Sequence, residues 1–546
     1  MRKFIVVPAL ALMLAFALGN VEAQLECNLC DLPPTTWTEP PVISSQNGGL
    51  RTVMEVKFAN NNLGSDTLKH RSYNGLLTGP TLRFKAGDTL SILLKNNLPV
   101  TTDRSKIFDL TNFHTHGLHV SPKCDPDNLT GPWNWCSDNV LIQIEPQTQV
   151  RLQFELPKDH PPGTHWYHPH KHGATAVQVT SGMSGALLLE GDVDEMLEQK
   201  GVPERLFVFQ QIQYDKKTGT VATCFNPHNC ELLSDDFGND VDSKYTVNTS
   251  INGQLKPLIA LQPGQVERWR FIHAGIKGAL NVTLVPQKDG GCDAAYEDQE
   301  ELPLHEFAAD GITMGWLAPR KIIAMFPGYR SDVLVQVNRE GFYCLLDKES
   351  SDNTLDLFPG KREVRQVLAI VRVGGPLKGM VLPSSDDFKA FAPYESLCDT
   401  QIQIDTQQTM TFAEGWPSGS YPTNFFNVNG HMFQHDLSAN TPRKLKLNNR
   451  DEWTLTTAVD SHPFHIHQNP FQVCSIEDKN QGGPAKYPDG TPVLDRPVWK
   501  DTIIVPHWQK ITMRTHYKEF TGQFVLHCHI LSHEDLGMMQ LVEIVP

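Results

Sequence analysis

The segment that decides the fold reads Gly522-Gln-Phe-Val-Leu-His527-Cys528-His529-Ile-Leu-Ser-His533, and Met538 follows five residues later. Apolar residues alternate along it after the glycine, which is typical of a β-strand that runs into a loop. Because side chains of a strand alternate between its two faces, we expect His527 and His529 on one face and Cys528 on the other.

The side chains of this segment are those of a copper site. One Cys, a His five residues later and a Met ten residues later suit a blue-copper centre, where Cys and two His bind in plane and Met binds weakly along the axis. The two flanking histidines face away from that centre and are available to other metal ions. The alternatives are a packed core thiol or a zinc ligand, but zinc sites normally use paired Cys or Cys/His clusters with four ligands.

The N-terminus predicts a secretory signal peptide over residues 1–23. Arg2-Lys3 precede an apolar run from Phe4 to Leu18, and Val21-Glu-Ala23 has the small residues of a cleavage site. Its removal from the 546 residues leaves 523, and we expect the protein to be secreted, or periplasmic in a bacterium. No later apolar run approaches the roughly 18 residues of a transmembrane helix, so we expect no membrane span.

The charge balance restricts the partners. Asp and Glu number 62 against 47 Lys and Arg, which gives a formal net charge of −15. So acidic a surface disfavours nucleic acid and anionic lipid but not neutral or cationic small molecules. We expect a monomer.

The chain has 11 cysteines, and setting Cys528 aside leaves an even number. In an exported protein this predicts disulfides whose connectivity the sequence does not fix. The local pairs Cys124/Cys136 and Cys224/Cys230 are favoured. Three sequons are compatible with glycosylation in a eukaryotic host, at Asn128, Asn248 and Asn281.

One strand–turn–strand pattern occurs three times, over residues 80–92, 257–269 and 443–455. Its corresponding residues Leu82, Ile259 and Leu445 are 177 and 186 residues apart, a period that indicates domain triplication and not a solenoid. A second marker agrees, since a glycine lies five residues before each of His168, Leu346 and His527.

Short strand patterns with many Gly and Pro predict an all-β protein of β-sandwich domains. We place the three domains at residues 24–200, 201–380 and 381–546. A short helix over Val193 to Lys200 marks the first boundary, and a linker from Gly374 to Asp387 marks the second.

The three copies differ in metal chemistry. His168-Pro169-His170 stands in the first copy where His527-Cys528-His529 stands in the third, whereas the middle copy has Leu346-Asp347-Lys348. The middle domain therefore has no ligands at this position, and we interpret it as a spacer.

Four His-rich segments carry the candidate metal ligands. Each His-x-His on a strand places two imidazoles on one face, and eight such imidazoles exceed the needs of one structural zinc site. Imidazole also suits copper. The segments are His114-Thr-His116, His168-Pro-His170, His462-Pro-Phe-His465-Ile-His467 and His527-Cys-His529 with His533.

These four segments, in this order, resemble the signature of the multicopper oxidases, which include laccases, ferroxidases, ascorbate oxidase and bilirubin oxidase. Residues 497–502 and 426–430 also resemble landmarks of the family's third domain. The resemblance covers nearly the whole mature chain. It implies that the three consecutive β-sandwiches are cupredoxin-like Greek-key domains and that four copper ions are bound.

The resemblance also implies a role for each ligand. The type 1 copper would be bound by His462, Cys528, His533 and axial Met538. The type 2 copper would be bound by His114 and His465. The two type 3 copper ions would be bound by His116, His168 and His529 and by His170, His467 and His527.

The implied reaction is the one-electron oxidation of a donor near His462, transfer of electrons along Cys528, and four-electron reduction of O2 to water. Glu534 and Asp125 match positions where relatives have carboxylates that relay protons, although each could instead be a solvated loop carboxylate. Axial Met538 should lower the type 1 potential relative to an aliphatic residue there.

The reducing substrate is the open question. A laccase-like enzyme would oxidise phenols or aromatic amines. A metal-ion oxidase for Fe(II) or Mn(II) would need carboxylates beside His462, and the candidates are Asp460, Asp436, Asp495 and Glu414. A non-catalytic copper-binding protein is disfavoured because the full set of ten His, one Cys and one Met is present. We favour the laccase-like function.

Overall fold

A computed structural model describes residues 35–101, 104–124, 135–221, 245–289, 291–292, 300–348, 366–414, 426–486 and 492–546. The predicted signal peptide, Asp125, Asn128, Cys224 and Cys230 lie outside these ranges. Strands dominate the described residues, as the sequence predicts.

The first group of strands forms two sheets, ordered β1-β4-β9-β8-β6 and β3-β2-β5-β7. Helix α1 spans Thr175–Thr180, α2 spans Asp192–Gln199, and a short 3₁₀ helix spans Arg104–Asp109. The strands are β1 (Val42–Ser44), β2 (Gly49–Leu63), β3 (Asp66–Tyr73), β4 (Thr81–Lys85), β5 (Thr89–Asn96), β6 (His114–His116), β7 (Thr148–Glu155), β8 (Gly163–His168) and β9 (Gly185–Glu190).

The second group forms sheets ordered β11-β10-β13-β18-β15-β16 and β12-β20-β19-β14-β17. The strands are β10 (Glu204–Asp215), β11 (Tyr245–Ile251), β12 (Leu258–Leu261), β13 (Val266–His273), β14 (Leu280–Pro286), β15 (Leu304–Ala309), β16 (Ile312–Arg320), β17 (Ile323–Met325), β18 (Arg330–Gln336), β19 (Gly341–Asp347) and β20 (Gln366–Val373).

The third group forms sheets ordered β22-β21-β24-β29-β26-β27 and β23-β31-β30-β25-β28. Helices are α3 (Ser385–Phe388), α4 (Leu531–Asp535) and 3₁₀ turns at Lys389–Phe391 and Leu437–Ala439. The strands are β21 (Thr406–Glu414), β22 (Phe426–Val428), β23 (Arg443–Lys446), β24 (Arg450–Thr457), β25 (His462–Ile466), β26 (Phe471–Asp478), β27 (Val498–Lys500), β28 (Thr502–Val505), β29 (Gln509–His516), β30 (Gly522–Cys528) and β31 (Met539–Val545).

The three groups repeat one arrangement of strands. The first strand of the sequence repeat, which contains Leu82, Ile259 or Leu445, pairs in parallel with the last strand of its group, opposite Leu187, Val371 and Ile544 respectively. The second strand of the repeat (β5, β13 or β24) lies in the other sheet, between a parallel and an antiparallel neighbour. The predicted fold class is therefore confirmed: three consecutive cupredoxin-like Greek-key β-sandwiches.

The glycine marker has the same structural place in each copy. Gly163, Gly341 and Gly522 begin β8, β19 and β30, and each lies opposite a residue near the end of the final strand of its sheet. The residue five positions later is therefore equivalent in the three domains. This equivalence places His168 and His527 at matching ends of strands and puts Leu346 at the same point of the middle domain.

Buried apolar residues hold the sandwiches together. Strands β5 and β24 alternate buried and half-buried residues along their length, as expected where one face covers a core. Fully burying each such aliphatic or aromatic side chain stabilises the fold by about 1.5–3 kcal/mol. One continuous core joins the second and third groups of strands, from Phe207 to Ile544, so these two domains pack on each other directly.

The predicted boundary features are present. Helix α2 begins one residue before the predicted helix, and residues 374–384 carry no strand or helix. The domain limits at 200/201 and 380/381 fall between the groups of strands and remain our proposal. Within the part of the chain described, no helix is long and apolar enough to cross a membrane.

The structure contains the predicted disulfide Cys124–Cys136 and two long-range disulfides, Cys292–Cys344 and Cys398–Cys474. The pair Cys224/Cys230 is outside the described residues. Among the cysteines that are described, Cys528 is free and buried. The Cys528 thiol is therefore available as a metal ligand.

Gly163 lies against the turn at Gly311 of the middle domain, where an added Cβ atom would be 1.8 Å from the Gly311 carbonyl oxygen. A backbone atom cannot rotate away, so we expect Gly163→Ala to lower the stability by about 1–3 kcal/mol. The midpoint of thermal unfolding measures the effect. Gly374→Ala is the control, because no atom lies within 4 Å of a Cβ there. Equal midpoints for the two variants would contradict the packing described.

Candidate metal centre

Cys528 ends β30, and its sulfur faces two histidines from elsewhere in the third domain. The Sγ atom lies 3.5 Å from His462 Nδ1 and 4.0 Å from His533 Nδ1, and these two nitrogens are 3.3 Å apart. His533 reaches this position because α4 follows the strand, where the sequence predicted only a loop. The three ligand atoms surround one point, as the sequence predicts for a copper ion.

Met538 is fully buried beside this group. Its backbone N–H donates to the His533 carbonyl over 2.9 Å, and its carbonyl accepts from the Cys528 N–H over 3.0 Å. The main chain thus ties Met538 to both residues. The axial role of its sulfur remains a prediction.

His527 and His529 extend away from the cysteine towards the first domain. His527 Nε2 lies 3.1 Å from His170 Nε2 and 3.3 Å from His467 Nε2, and the last two nitrogens are 3.2 Å apart. His529 Nε2 lies 3.2 Å from His116 Nδ1. The expected opposite orientation of Cys528 and its neighbours is therefore present.

The remaining ligand candidates complete two further groups. His116, His168 and His529 place their ligand atoms within 4.8 Å of one another, and so do His114, His116 and His465. Rings from the two domains stack in pairs, with centroids 3.8 Å apart for His114 on His467 and for His116 on His465. The first and third domains therefore share one cluster of eight buried imidazoles.

Strand ends explain how the imidazoles converge. His114 and His116 both lie on β6, as expected, but β8 ends at His168, β25 at Ile466 and β30 at Cys528. His170, His467 and His529 therefore lie just beyond their strands. The expectation that each His-x-His pair lies on one strand is wrong for these three.

Hydrogen bonds orient the rings. Nδ1 of His114 faces both oxygens of Asp138 at 3.0 Å, Nδ1 of His465 donates to the Asp501 carbonyl at 2.9 Å, and Nδ1 of His168 donates to the Pro169 carbonyl at 2.9 Å. These bonds select the tautomer whose Nε2 carries a lone pair.

The Nε2 atoms of His114, His168 and His465 are buried and have no hydrogen-bond partner. A buried acceptor without a partner is costly, and a metal ion removes that cost. Neutral nitrogen donors with one thiolate are the ligands that copper prefers. The residues present therefore fit copper ions.

Burial sets the protonation of the cluster. Desolvation lowers the pKa of all ten candidate histidines, to about 3 for His168 and His462 and to about 4 for His465. The imidazoles are thus neutral and able to bind a metal at physiological pH. Burial raises the pKa of the Cys528 thiol, so metal binding there must release a proton.

Glu534, a predicted proton relay, lies within the cluster and is fully buried. Its carboxylate oxygens are 3.4 Å from His170 Nδ1 and 3.6 Å from His527 Nδ1, and one accepts from the Thr175 hydroxyl over 3.1 Å. Burial raises its pKa well above the usual range. Asp125, the other predicted relay, is outside the described residues.

Asp138 is a carboxylate of the site that sequence reasoning missed. It accepts from His114 Nδ1 and from the Thr115 N–H, and burial raises its pKa to about 7. No motif marks it. Its position follows from the Cys124–Cys136 disulfide, which ends two residues before it and fixes the segment beside β6.

The middle domain contacts residues beside the cluster, and its interpretation as a spacer remains a prediction. Although it supplies no member of the metal-ligand groups in the described chain, Arg330 Nη1 donates to Asp501 over 2.7 Å next to the cluster. A Cβ atom at Gly328 would lie 2.9 Å from the His529 ring. Residues of β18 and the turn before it therefore shape the cluster from outside.

Three other histidines that match no ligand position lie around the site. His119 Nδ1 donates to the Gln468 carbonyl over 2.8 Å, His165 is buried next to Gly117, and the His172 ring lies 4.4 Å from the exposed His435 ring. They lie in the surroundings of the cluster and are not members of the metal-ligand groups in the described chain.

An acidic side chain faces the outer edge of the cysteine group. Glu414 Oε1 lies 3.5 Å from His462 Nε2 and 4.0 Å from His533 Nδ1, and its side chain is 24% exposed. Of the other acids considered in the sequence, Asp436 caps the 437–439 turn and Asp495 pairs with Arg320. Glu414 thus lies at the predicted electron entry point.

Two family models, both described as multicopper oxidase, match residues 57–193 and 400–546, which together make up more than half of the chain. The chain belongs to the multicopper oxidase family. It is accordingly an oxidoreductase that binds copper.

Curated relatives and solved structures agree in overall architecture. The chain is 24% identical over 520 residues to the multicopper oxidase mco of Staphylococcus aureus, covering 90% of this chain and 91% of that protein. It is 25% identical over 502 residues to a laccase of Bacillus subtilis, covering 86% and 89%. The Campylobacter jejuni multicopper oxidase, described as a metallo-oxidase, shares the fold with a TM-score of 0.70 at 22% identity, covering 95% and 98%.

The copper-free protein should lose stability as the pH falls. Because the folded histidines have a depressed pKa, the unfolded chain binds more protons between about pH 6.5 and pH 3, and folding is disfavoured there. Asp138, Glu534 and Asp535 have a raised pKa and oppose this trend, but they are three groups against ten.

Unfolding midpoints of the copper-free protein from pH 8 to 5 measure the effect. His465→Gln should flatten the decline, whereas the same change at the exposed His431 should not. A stability that stays constant or rises towards pH 5 would show that the cluster is not neutral.

Proposed function

We propose that the protein is an exported multicopper oxidase that couples one-electron oxidation of phenolic and aromatic donors to the four-electron reduction of O2 to water. The observation that carries this proposal is the position of Cys528. Its sulfur faces His462 and His533, while its two chain neighbours extend into a separate imidazole cluster.

The proposed copper ligands follow the geometry. His462, Cys528, His533 and Met538 would bind the type 1 ion, and His114 with His465 the type 2 ion. His116, His168 and His529 would bind one type 3 ion, and His170, His467 and His527 the other. When bound, the four copper ions supply the one-electron and oxygen chemistry that side chains lack.

The protein itself connects the two groups of ligands and excludes water from them. Cys528 is linked to His527 and His529 through single peptide units, so the two groups of ligands are joined by the shortest covalent path the chain allows. All of the ligands lie behind protein, with side chains at most 7% exposed. Burial excludes bulk water from the cluster and keeps its ligands in fixed positions.

Protons for water formation require donors inside the cluster. Glu534 is suited to this role because burial raises its pKa, which favours the protonated form, and its Oε1 lies 3.4 Å from His170 Nδ1. Asp138 beside His114 is a second candidate with a pKa of about 7. Each would deliver a proton from a carboxyl oxygen towards the space between the imidazoles.

The donor is proposed to meet the protein at His462. Oxidation of a phenol releases a proton as well as an electron, and Glu414 lies where its carboxylate can accept that proton. The same carboxylate favours the alternative, a metal-ion oxidase, since an anionic oxygen would also bind Fe(II) or Mn(II). The two functions predict different effects of removing the Glu414 charge on the oxidation of phenols and of metal ions.

Removal of the cysteine ligand tests the copper assignment. Cys528→Ser should abolish the intense blue absorption and oxidase turnover, because the thiolate is the strongly bound type 1 ligand. The fold should be unchanged by circular dichroism, since serine is close to cysteine in volume. Retention of the blue band would contradict the assignment.

A donor panel with recorded oxygen uptake tests the substrate class. The wild-type protein, loaded with copper, should show a higher kcat/KM for 2,6-dimethoxyphenol than for Fe(II) or Mn(II). Glu414→Gln should lower kcat/KM for the phenol about 100-fold, the lower end of a general-base effect. It should have little effect on tetramethyl-p-phenylenediamine, which loses an electron without a proton.

Glu452→Gln serves as the control, because Glu452 lies on the same sheet and pairs with Arg514 away from His462. A wild-type preference for Fe(II) by orders of magnitude, lost specifically in Glu414→Gln, would overturn the phenol proposal in favour of the metal-ion oxidase.

A further inference from the structure

We propose that Arg330 and Asp310 of the middle domain are positioning residues for the imidazole cluster. They hold Asp501 and Thr502, and through them fix the ring orientation and tautomer of His116 and His465. The proposal rests on the copper ligands proposed above. It assigns a function in the oxidase reaction to the domain that contributes no ligand in the described chain.

Arg330 uses all five of its guanidinium N–H donors. Nε donates to the Thr164 carbonyl of the first domain at 3.2 Å. Nη1 donates to the Gly328 carbonyl at 2.9 Å and to Asp501 Oδ1 at 2.7 Å. Nη2 donates to the Asp310 carbonyl at 2.8 Å and to Asp501 Oδ2. One fully buried side chain therefore joins all three domains, with a two-point contact to Asp501.

Asp310 completes the arrangement from the turn between β15 and β16. Its Oδ2 accepts from the backbone N–H of Asp501 at 3.2 Å and of Thr502 at 3.1 Å, and Lys500 Nζ lies 3.1 Å from it. Its Oδ1 accepts from the backbone N–H of Arg330 at 3.1 Å. The backbone of the Asp501–Thr502 pair is thus fixed by a carboxylate, and the Asp501 side chain by a guanidinium.

The fixed pair contacts two proposed ligands. His465 Nδ1 donates to the Asp501 carbonyl at 2.9 Å, which leaves its Nε2 for copper. His116 has the reverse arrangement: its Nε2 lies 3.2 Å from both Asp501 Oδ1 and Thr502 Oγ1, while its Nδ1 faces His529. Since the two rings also stack at 3.8 Å, a shift of Asp501 would move both.

Lysine cannot replace this arginine. Its ammonium has three donors at one point and cannot make the two parallel bonds to a carboxylate. In Arg330→Lys the Asp501 side chain would lose one of its two anchors and rotate, and His116 Nε2 would lose a fixed acceptor. Loss of such an outer partner typically weakens metal binding or activity about 10- to 100-fold.

The experiment compares Arg330→Lys with Arg268→Lys in the full-length copper-loaded protein. Arg268 is the matched control, since it is also a buried arginine of the middle domain and is paired with Asp194 and Asp332 away from the ligands. The readouts are copper per chain, the electron paramagnetic resonance signals of type 1 and type 2 copper, and steady-state kinetics.

We expect Arg330→Lys to keep its blue type 1 signal but to lose or alter the type 2 signal. Its copper content should fall below that of the wild type, and kcat should decrease about 10-fold or more with KM for the donor unchanged. Arg268→Lys should lower the unfolding temperature and leave the type 2 signal intact. If Arg330→Lys does not fold, Asp310→Asn provides the same test, because asparagine keeps the shape and one acceptor oxygen.

An unchanged type 2 signal in Arg330→Lys, or the same loss in Arg268→Lys, would overturn the positioning role. A wild-type protein without type 2 copper would instead overturn the proposed function itself. The two failures are therefore distinguishable.

Discussion

Ten imidazoles and one thiol are buried in the region where the third β-sandwich meets the first, and their contacts set the constraint on which the structure depends. Neighbouring ligand atoms lie 3.1 to 4.0 Å apart. Several of these nitrogens are buried without a hydrogen-bond partner, at a cost of about 1–3 kcal/mol each. Such a cluster is stable only if metal ions occupy the space between the nitrogens or the surrounding protein is strong enough to hold them apart.

All three domains help to hold the ligand atoms in position. Strand alternation in β30 sends Cys528 to one side and its neighbours to the other, and α4 brings His533 back to the sulfur. The first domain contributes four imidazoles from β6 and the end of β8. The middle domain packs on the third through a continuous core and supports the cluster through Arg330 and Asp310. Each domain therefore contributes a different element of one centre.

The sequence was sufficient for those features that depend on local pattern. The three repeats were visible because Leu82, Ile259 and Leu445 lie in equivalent strand patterns, and eight candidate imidazoles were visible because His-x-His spacing is conspicuous. The contribution of Asp138, Asp310 and Arg330 was not predictable, since each acts on a residue 23 to 191 positions away and no local motif marks it. Glu414 was one of four acidic candidates, and only the fold brings it within 3.5 Å of His462. Tertiary contacts between domains, which have no periodicity in sequence, account for what was missed.

Diffraction from a crystal of the copper-loaded protein, recorded on both sides of the copper absorption edge, shows directly how many copper ions are bound and where. We expect four anomalous peaks, one beside Cys528 Sγ and three among the eight imidazoles shared by the first and third domains. A single peak per chain, or peaks that appear at the zinc edge and not at the copper edge, would contradict it.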